Sequence, residues 1–155
     1  MPTSPPIGRR GLLLGAAAAL AAPLWPRSAL AAARPRMEVW TSPGCGCCAA
    51  WVEHLRAAGI EAAVTEIADL APLKARLGVP FALRSCHTGV IEGYAVEGHV
   101  PAADILRLLD ERPLATGLAV PGMPVGSPGM EAGEAREPFE VLLFAPGRIE
   151  VFARR

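Results

Sequence analysis

The sequence predicts an α/β domain, in which helices pack on a central mixed sheet and a β-hairpin is added at the C-terminal end. Two observations support this class. Strand and helix signals alternate in the order βαβα and then ββα, which suits a sheet covered by helices. Near the end of the chain, two apolar segments rich in β-favouring residues flank Pro146-Gly147.

The first half of the domain carries two strand signals and two helix signals. We predict a strand over residues 37–40, a helix over 47–58 and a second strand over 60–67. The first helix is predicted because it has one apolar face, formed by Trp51, Val52, Leu55 and Ala58. Asp69 is placed to cap a short second helix, which Gly78 ends.

The second half begins with a hairpin signal. Residues 86–91 and 94–96 are predicted strands, joined by a tight turn at Glu92-Gly93. A third helix follows to about residue 111, with Pro101 at its first position, where helices accept proline.

The C-terminal part is predicted to be irregular first and regular afterwards. Residues 117–133 contain many glycines and prolines with almost no periodicity, and are therefore predicted to form a loop. Residues 139–144 and 149–152 are predicted to form a hairpin at an edge of the sheet.

The N-terminal segment has the three-part layout of a secretory signal. A basic head at Arg9-Arg10 is followed by an uncharged stretch over residues 11–22, and Ala29 and Ala31 suit a signal peptidase site. We therefore predict a signal peptide over residues 1–31. A retained membrane anchor is the disfavoured alternative, because the apolar run is shorter than the ~20 residues that span a bilayer.

Residues 32–155 are predicted to be a single domain, exported to the periplasm. The paired arginines are compatible with the twin-arginine route, and the general secretory route stays open. The whole chain has 15 basic and 15 acidic residues, and three arginines but no acid lie in the signal, so the remainder is slightly acidic. That balance argues against nucleic-acid binding. The mature part has no apolar stretch that predicts a membrane span.

The four cysteines are unevenly spaced. An even number in an exported protein usually indicates structural disulfides. Here three of them, Cys45, Cys47 and Cys48, lie within four residues, and the adjacent pair cannot bridge without strain. The spacing therefore argues against structural disulfides and favours a metal site or a redox site.

The cysteine triplet follows a predicted strand and opens a predicted helix. Free backbone N–H groups and the helix dipole favour thiolate there, and thiolate is both the metal ligand and the redox nucleophile. Cysteines of an apolar core are the alternative, but these do not cluster around glycines in a turn.

Soft thiolate and thioether ligands select Cu(I), and several adjacent sulfurs can bridge more than one ion. The remote Cys86 is expected to join the triplet, because it starts a strand beside the first one whose end faces the same turn if the two strands run parallel. His87 gains support from its neighbour, and Met123 and Met130 are candidate thioether ligands. Zinc held by Cys45, Cys48, Cys86 and His87 is the less favoured alternative. His54 is expected on the surface.

Two resemblances add to this interpretation. Trp40-Thr41-Ser42-Pro43-x-Cys45-x-x-Cys48 resembles the strand–turn–helix active site of glutaredoxin- and thioredoxin-like proteins. A fuller set of motifs resembles the CopG-type family, exported bacterial metal-binding proteins that are associated with copper resistance and often described as a domain of unknown function. These motifs are Ser42-Pro43-Gly44-Cys45-Gly46-Cys47-Cys48, Ser85-Cys86-His87-Thr88, Val96-Glu97-Gly98-His99-Val100-Pro101 and Gly122-Met123-Pro124-Val125-Gly126-Ser127-Pro128-Gly129-Met130-Glu131.

The family resemblance covers nearly all of residues 32–155. It implies a thioredoxin-like fold with thiolate-bound Cu(I), including the binding of several ions, and it gives His99 its only support as a site residue. The leading hypothesis is an exported Cu(I)-binding protein of copper handling, with metal ions and other periplasmic copper proteins as partners. The alternatives are a thiol–disulfide oxidoreductase that uses Cys45 and Cys48, and a protein held together by structural zinc.

Overall fold

The computed structural model describes Thr3 and residues 34–155. The chain divides into two units, Met1–Ala32 and Ala33–Arg155, and every element named below belongs to the second unit. Apart from Thr3, the predicted signal peptide lies outside the described residues, and its role stays a prediction. Within the described part of the chain, no helix has the length and apolar character needed to cross a bilayer.

Within residues 34–155, seven strands form one sheet in the order β2-β1-β3-β4-β5-β6-β7. The strands are β1 Arg36–Thr41, β2 Glu61–Glu66, β3 His87–Ile91, β4 Tyr94–Gly98, β5 Gly117–Val120, β6 Glu140–Ala145 and β7 Arg148–Arg154. The helices are α1 Gly46–Ala57, α2 Ala71–Arg76 and α3 Ala102–Glu111, with a 3₁₀ turn at Phe81–Leu83. The β1–β2 and β4–β5 pairs are parallel and the other neighbours are antiparallel, so the sheet is mixed.

Helices cover one face of the sheet. Trp51 and Leu55 of α1 and Ile105 and Leu108 of α3 are fully buried in one apolar cluster, together with side chains from β1 and from β3 to β6. A smaller cluster on the opposite face contains Val79, Leu83, Ala95, Ala119 and Phe144. The central strands are therefore buried on both faces, as expected for a sheet between two layers.

Most of the predicted elements are confirmed. The mixed sheet with packed helices and both hairpins are present, and β7 lies at a sheet edge as predicted. Asp69 does accept a hydrogen bond from the Ala71 backbone N–H at 2.9 Å, although α2 begins two residues after it. Pro101 stands one position before the first residue of α3 rather than on it.

The predicted loop over residues 117–133 is wrong at its start, because Gly117–Val120 forms β5. All four residues of this strand are buried, so the strand shows no alternation of apolar and polar residues. Its first residue lies against the backbone of β4, and a Cβ atom at Gly117 would overlap the carbonyl of Ala95. The glycine that suggested a loop is therefore required for strand pairing.

Candidate metal centre

The cysteine triplet lies where β1 passes into α1. A turn with a hydrogen bond from the Cys45 N–H to the Ser42 carbonyl reverses the chain, and Cys45 occupies the N-cap position of α1. No side chain caps this helix end, and its first turn contains no acidic residue. The positive end of the helix therefore faces the sulfur atoms, which suits anionic sulfur.

Cys45 and Cys48 form a disulfide, and their Cα atoms are 5.3 Å apart. This bond joins the two cysteines that the oxidoreductase alternative uses, and one turn of helix spans a distance that a disulfide can bridge. Cys47 and Cys86 are free. The Cys47 sulfur lies 3.5 Å from that of Cys45 and 3.9 Å from that of Cys86.

All four sulfur atoms lie within 4.8 Å of one another, so Cys86 does meet the triplet. The expected reason was wrong, because β3 runs antiparallel to β1 and pairs His87 with Thr41. In an antiparallel pair, the start of one strand meets the end of the other. A parallel β3 would have taken Cys86 to the opposite end of β1.

Two buried histidines complete a second group around Cys86. Its sulfur lies 3.2 Å from Nδ1 of His87 and 3.2 Å from Nε2 of His99. The Nδ1 atom of His99 also lies 2.8 Å from the Pro128 carbonyl oxygen. Because a carbonyl only accepts, Nδ1 carries the proton and the Nε2 lone pair faces the sulfur.

Burial keeps this group uncharged. It lowers the pKa of His87 to about 3, with a further contribution from nearby His99, and it also lowers the pKa of His99. Burial, followed by the proximity of Cys47, raises the pKa of the Cys86 thiol to about 11. Neutral imidazoles and a thiol that holds its proton until a cation replaces it are suited to metal binding.

His99 was given too little weight as a site residue in the sequence analysis. The two-residue turn between β3 and β4 pairs Ile91 with Tyr94 and Thr88 with Glu97. Extending that register towards the strand ends places His99 opposite Cys86. The hairpin signal was therefore sufficient to find this histidine from the sequence.

A buried polar network lies beneath Cys86 and was not anticipated. The carboxylate of Glu97 is fully buried and accepts hydrogen bonds from the Lys74 ammonium at 2.5 Å and the Ser85 N–H at 2.5 Å. It also accepts one from the Thr88 hydroxyl at 2.7 Å. Charged groups are rarely buried unless they are paired, and this pair holds the chain just before Cys86.

The loop that contains the candidate methionines packs on the first turn of α1. At Gly129 the approach is so close that a Cβ atom would lie 2.6 Å from the Cys47 carbonyl oxygen. Met123 is 52% exposed, and Met130 is partly buried. Thioether ligation by these two residues stays a prediction.

His54 is not a free surface residue, which corrects the expectation. It is half-buried, and its Nε2 atom accepts a hydrogen bond from the Ala102 N–H at 3.0 Å. This satisfies one of the free N–H groups at the start of α3. Burial lowers the pKa of His54, and the carboxylate of Glu131 opposes this shift.

Two depressions reach the sulfur cluster from different sides. One, of about 280 Å³, is bordered by Cys45 and Cys48 and by side chains of α1 and β2. The other, of about 450 Å³, is bordered by Cys45 and Cys86 together with the exposed Phe81. Cys45 borders both.

The mixed sheet, the thiols at a helix start and the adjoining imidazoles define a small α/β protein with a thiol-rich centre, of the type that binds soft metals or exchanges disulfides.

The comparisons with known proteins narrow this class. Residues 83–130 match the family described as "Protein of unknown function, DUF411". Two solved structures of copper resistance protein CopG, Form 1 and Form 2, are each 47% identical to this chain with a TM-score of 0.75. In each case the match covers 79% of this chain and 98% of that chain. No curated protein matches. The chain belongs to the CopG-type family of copper resistance proteins, which confirms the resemblance drawn from the motifs.

Proposed function

We propose that this protein is an exported Cu(I)-binding protein of copper handling, and that Cys45, Cys47, Cys48 and Cys86 hold the metal. The observation that carries the proposal is the convergence of four sulfur atoms within 4.8 Å of one another. Soft thiolates prefer Cu(I), and a dense set of sulfurs suits several bridged ions. The copper-resistance relatives support copper as the metal.

Full use of the site requires reduction of the Cys45–Cys48 disulfide. Two electrons from a dithiol reductant convert this bond to two thiolates, and the reductant becomes a disulfide. Before reduction, Cys47 and Cys86 are the free thiols. The amount of copper bound is therefore expected to depend on the redox state of the protein.

The imidazoles extend the ligand set. His87 and His99 are fully buried beside Cys86, and burial lowers the pKa of both, so each is available in its neutral, metal-binding form. The hydrogen bond from His99 Nδ1 to the Pro128 carbonyl fixes its ring, as is common for histidine ligands. Met123 and Met130 are proposed as additional thioether ligands from the neighbouring loop.

Copper is favoured over zinc by the distribution of sulfur. A structural zinc site takes four ligands in tetrahedral geometry, commonly from two separated pairs. Here three sulfurs lie in one turn and Cys86 also contacts two imidazoles, which is more donors than one zinc ion needs.

The second candidate function is a periplasmic thiol–disulfide oxidoreductase. The disulfide between Cys45 and Cys48 at the start of a helix favours it, as does the thioredoxin-like strand–turn–helix placement. Metal-free protein that catalyses reduction of a protein disulfide, with full activity in Cys47→Ser and none in Cys45→Ser, would support this function.

The test of copper binding is anaerobic metal analysis of the fully reduced protein alongside a free-thiol count. We expect Cu(I) to be retained against a competing chelator, to protect all four thiols from alkylation, and to displace zinc. Reduced protein that yields its copper to a weak chelator, or that holds only zinc, would contradict the proposal.

Export is tested separately. Ala29 and Ala31 fit the processing rule, so cleavage is expected after Ala31. The intact mass of protein recovered from the periplasm should match residues 32–155. A mass that retains residues 1–31 would refute the signal peptide.

A further inference from the structure

Cys47 and Cys86 are free thiols in contact with each other. Their sulfurs are 3.9 Å apart, although 39 positions separate the two residues in the sequence. A disulfide needs its sulfurs at about 2.05 Å. Both side chains are partly exposed and Cys47 lies in the first turn of α1, so rotation of a cysteine side chain is the movement that bond formation requires.

We propose that Cys47 and Cys86 form a second dithiol–disulfide couple, so that the cluster takes up two disulfides and loses its metal when fully oxidised. The couple itself follows from the geometry, while the loss of metal rests on the proposed copper function. The reduced cluster offers four thiolates, the half-oxidised cluster two and the fully oxidised cluster none.

The Cys47–Cys86 pairing is favoured over the alternative because it breaks no existing bond. Cys45 lies closer to Cys47, at 3.5 Å between sulfurs, but Cys45 is already bonded to Cys48. Exchange at Cys45 would release the thiol of Cys48, which is only 1% exposed. Joining Cys47 to Cys86 breaks no bond in the protein and ties the start of α1 to the start of β3.

The oxidant is a small-molecule disulfide such as oxidised glutathione. The Cys47 thiolate attacks one sulfur of this disulfide, forms a mixed disulfide and expels one small thiolate. Cys47 is the entry point because it lies in the first turn of α1, where the positive end of the helix stabilises thiolate. Cys86 then loses its proton, attacks the Cys47 sulfur and expels the second small thiolate. Two protein thiols are oxidised, and one disulfide is reduced to two thiols.

The test uses metal-free protein, fully reduced under anaerobic conditions and then treated with an excess of oxidised glutathione. Samples are quenched with acid over time, alkylated and analysed by intact mass and peptide mapping. We expect the number of alkylated thiols to fall from four to two and then to zero, with a Cys47–Cys86 cross-linked peptide in the last form. Cys47→Ser and Cys86→Ser are the matched controls: neither can form the Cys47–Cys86 bond, and Cys86→Ser should keep glutathione on Cys47 because no resolving thiol remains.

Three outcomes would overturn the couple. Wild-type protein could stop at two alkylated thiols, keep glutathione on Cys47 or Cys86 at the end of the reaction, or form its second bond between other cysteines.

Copper release is measured in a separate experiment, so that the results distinguish failure of the redox couple from failure of the copper function. Protein preloaded with Cu(I) should release it to a chelator as the second disulfide forms. If reduced protein binds no Cu(I) but the thiol count still reaches zero, the copper function fails and the couple stands. If Cu(I) binds but the count stays at two, the couple fails and the copper function stands.

Discussion

The two sides of the sulfur cluster are held in place by different means. Residues 45–48, the triplet arm, owe their arrangement to the local backbone, since β1 ends, the chain turns and α1 begins within a few residues. The histidine arm, which consists of Cys86, His87 and His99, depends on strand pairing and on a buried network of side chains.

This difference separates the part of the candidate metal site that depends on local structure from the part that depends on tertiary structure. A short motif is sufficient to place the sulfurs of the triplet arm, because neighbouring residues on one helix turn are close by construction. The histidine arm requires a paired charge inside the protein, which is stable only when its partners are correctly placed. Substitutions should therefore separate the two arms.

The largest effect is expected where the histidine arm is supported. Lys74→Met leaves the fully buried Glu97 carboxylate without its cation and should destabilise the metal-free protein by about 3–5 kcal/mol. Urea unfolding measures this change. The matched control is Arg56→Met, which breaks an exposed pair with Glu53 and should cost less than about 1 kcal/mol.

The Lys74–Glu97 pair also allows a test of whether the unpaired charge causes this loss of stability. The double variant Lys74→Met/Glu97→Leu removes both charges and should recover much of the lost stability, because no unpaired charge remains. If Lys74→Met alone changes stability no more than Arg56→Met does, the network does not support the arm.

The next largest effect is expected in the triplet arm. Cys45→Ser/Cys48→Ser replaces two soft ligands by hydroxyls and should lower Cu(I) affinity more than about 100-fold, beyond the loss that outer partners of a site cause. A competition titration with a Cu(I) chelator measures the loss, with Ala50→Ser on the exposed side of α1 as control. Wild-type affinity in the double variant would show that the metal binds elsewhere.

A smaller effect is expected for Cys86, the residue of the histidine arm that contacts Cys47 of the triplet arm. Cys86→Ala should lower the number of Cu(I) ions per chain without unfolding the domain, because it removes one of the four proposed thiolate ligands. Metal analysis after anaerobic loading gives the stoichiometry, and circular dichroism reports on folding. An unchanged stoichiometry in a folded variant would make Cys86 a structural thiol without a role in binding.

The smallest effect lies outside both arms, at His54. Burial lowers its pKa, so its neutral form stabilises the folded state above the unfolded pKa of about 6.5. This contribution is lost as the pH falls from there through the lowered folded pKa. His54→Gln should therefore reduce the loss of stability between pH 7 and pH 5, while costing about 1 kcal/mol at pH 7 through the weakened cap.

Chemical denaturation at a series of pH values measures this prediction. His87 and His99 also have lowered pKa values, so wild type and variant should both lose stability on acidification, and the difference between them reports on His54. Parallel pH profiles would contradict the lowered pKa of His54.

The contrast between the arms also explains what the sequence could predict. The cysteine triplet, both hairpins and the first and third helices follow from local patterns, and the structure confirms those elements. Strand β5 was missed because it is buried on both faces and begins with a glycine, so it carries neither alternation nor a typical strand composition.

The errors at the histidine arm have a tertiary origin. The direction of β3 relative to β1 depends on how the chain returns to the sheet, and the parallel arrangement considered for these two strands is wrong because they pair antiparallel. The buried Lys74 and Glu97 have no sequence signature, because charged residues are almost always at the surface. The position of His99 opposite Cys86 follows from the hairpin register, which is found by counting residues outward from the turn in both strands.

The two depressions that meet at Cys45 have a kinetic consequence. Under the proposed copper function, a copper donor bound at the depression beside Cys48 would leave the one beside Cys86 open to an acceptor. Ligand exchange can then be associative, with the incoming sulfur bonded before the outgoing one leaves. Transfer through such a ternary complex would not free the ion into solution, and its rate is expected to rise with the concentration of the acceptor.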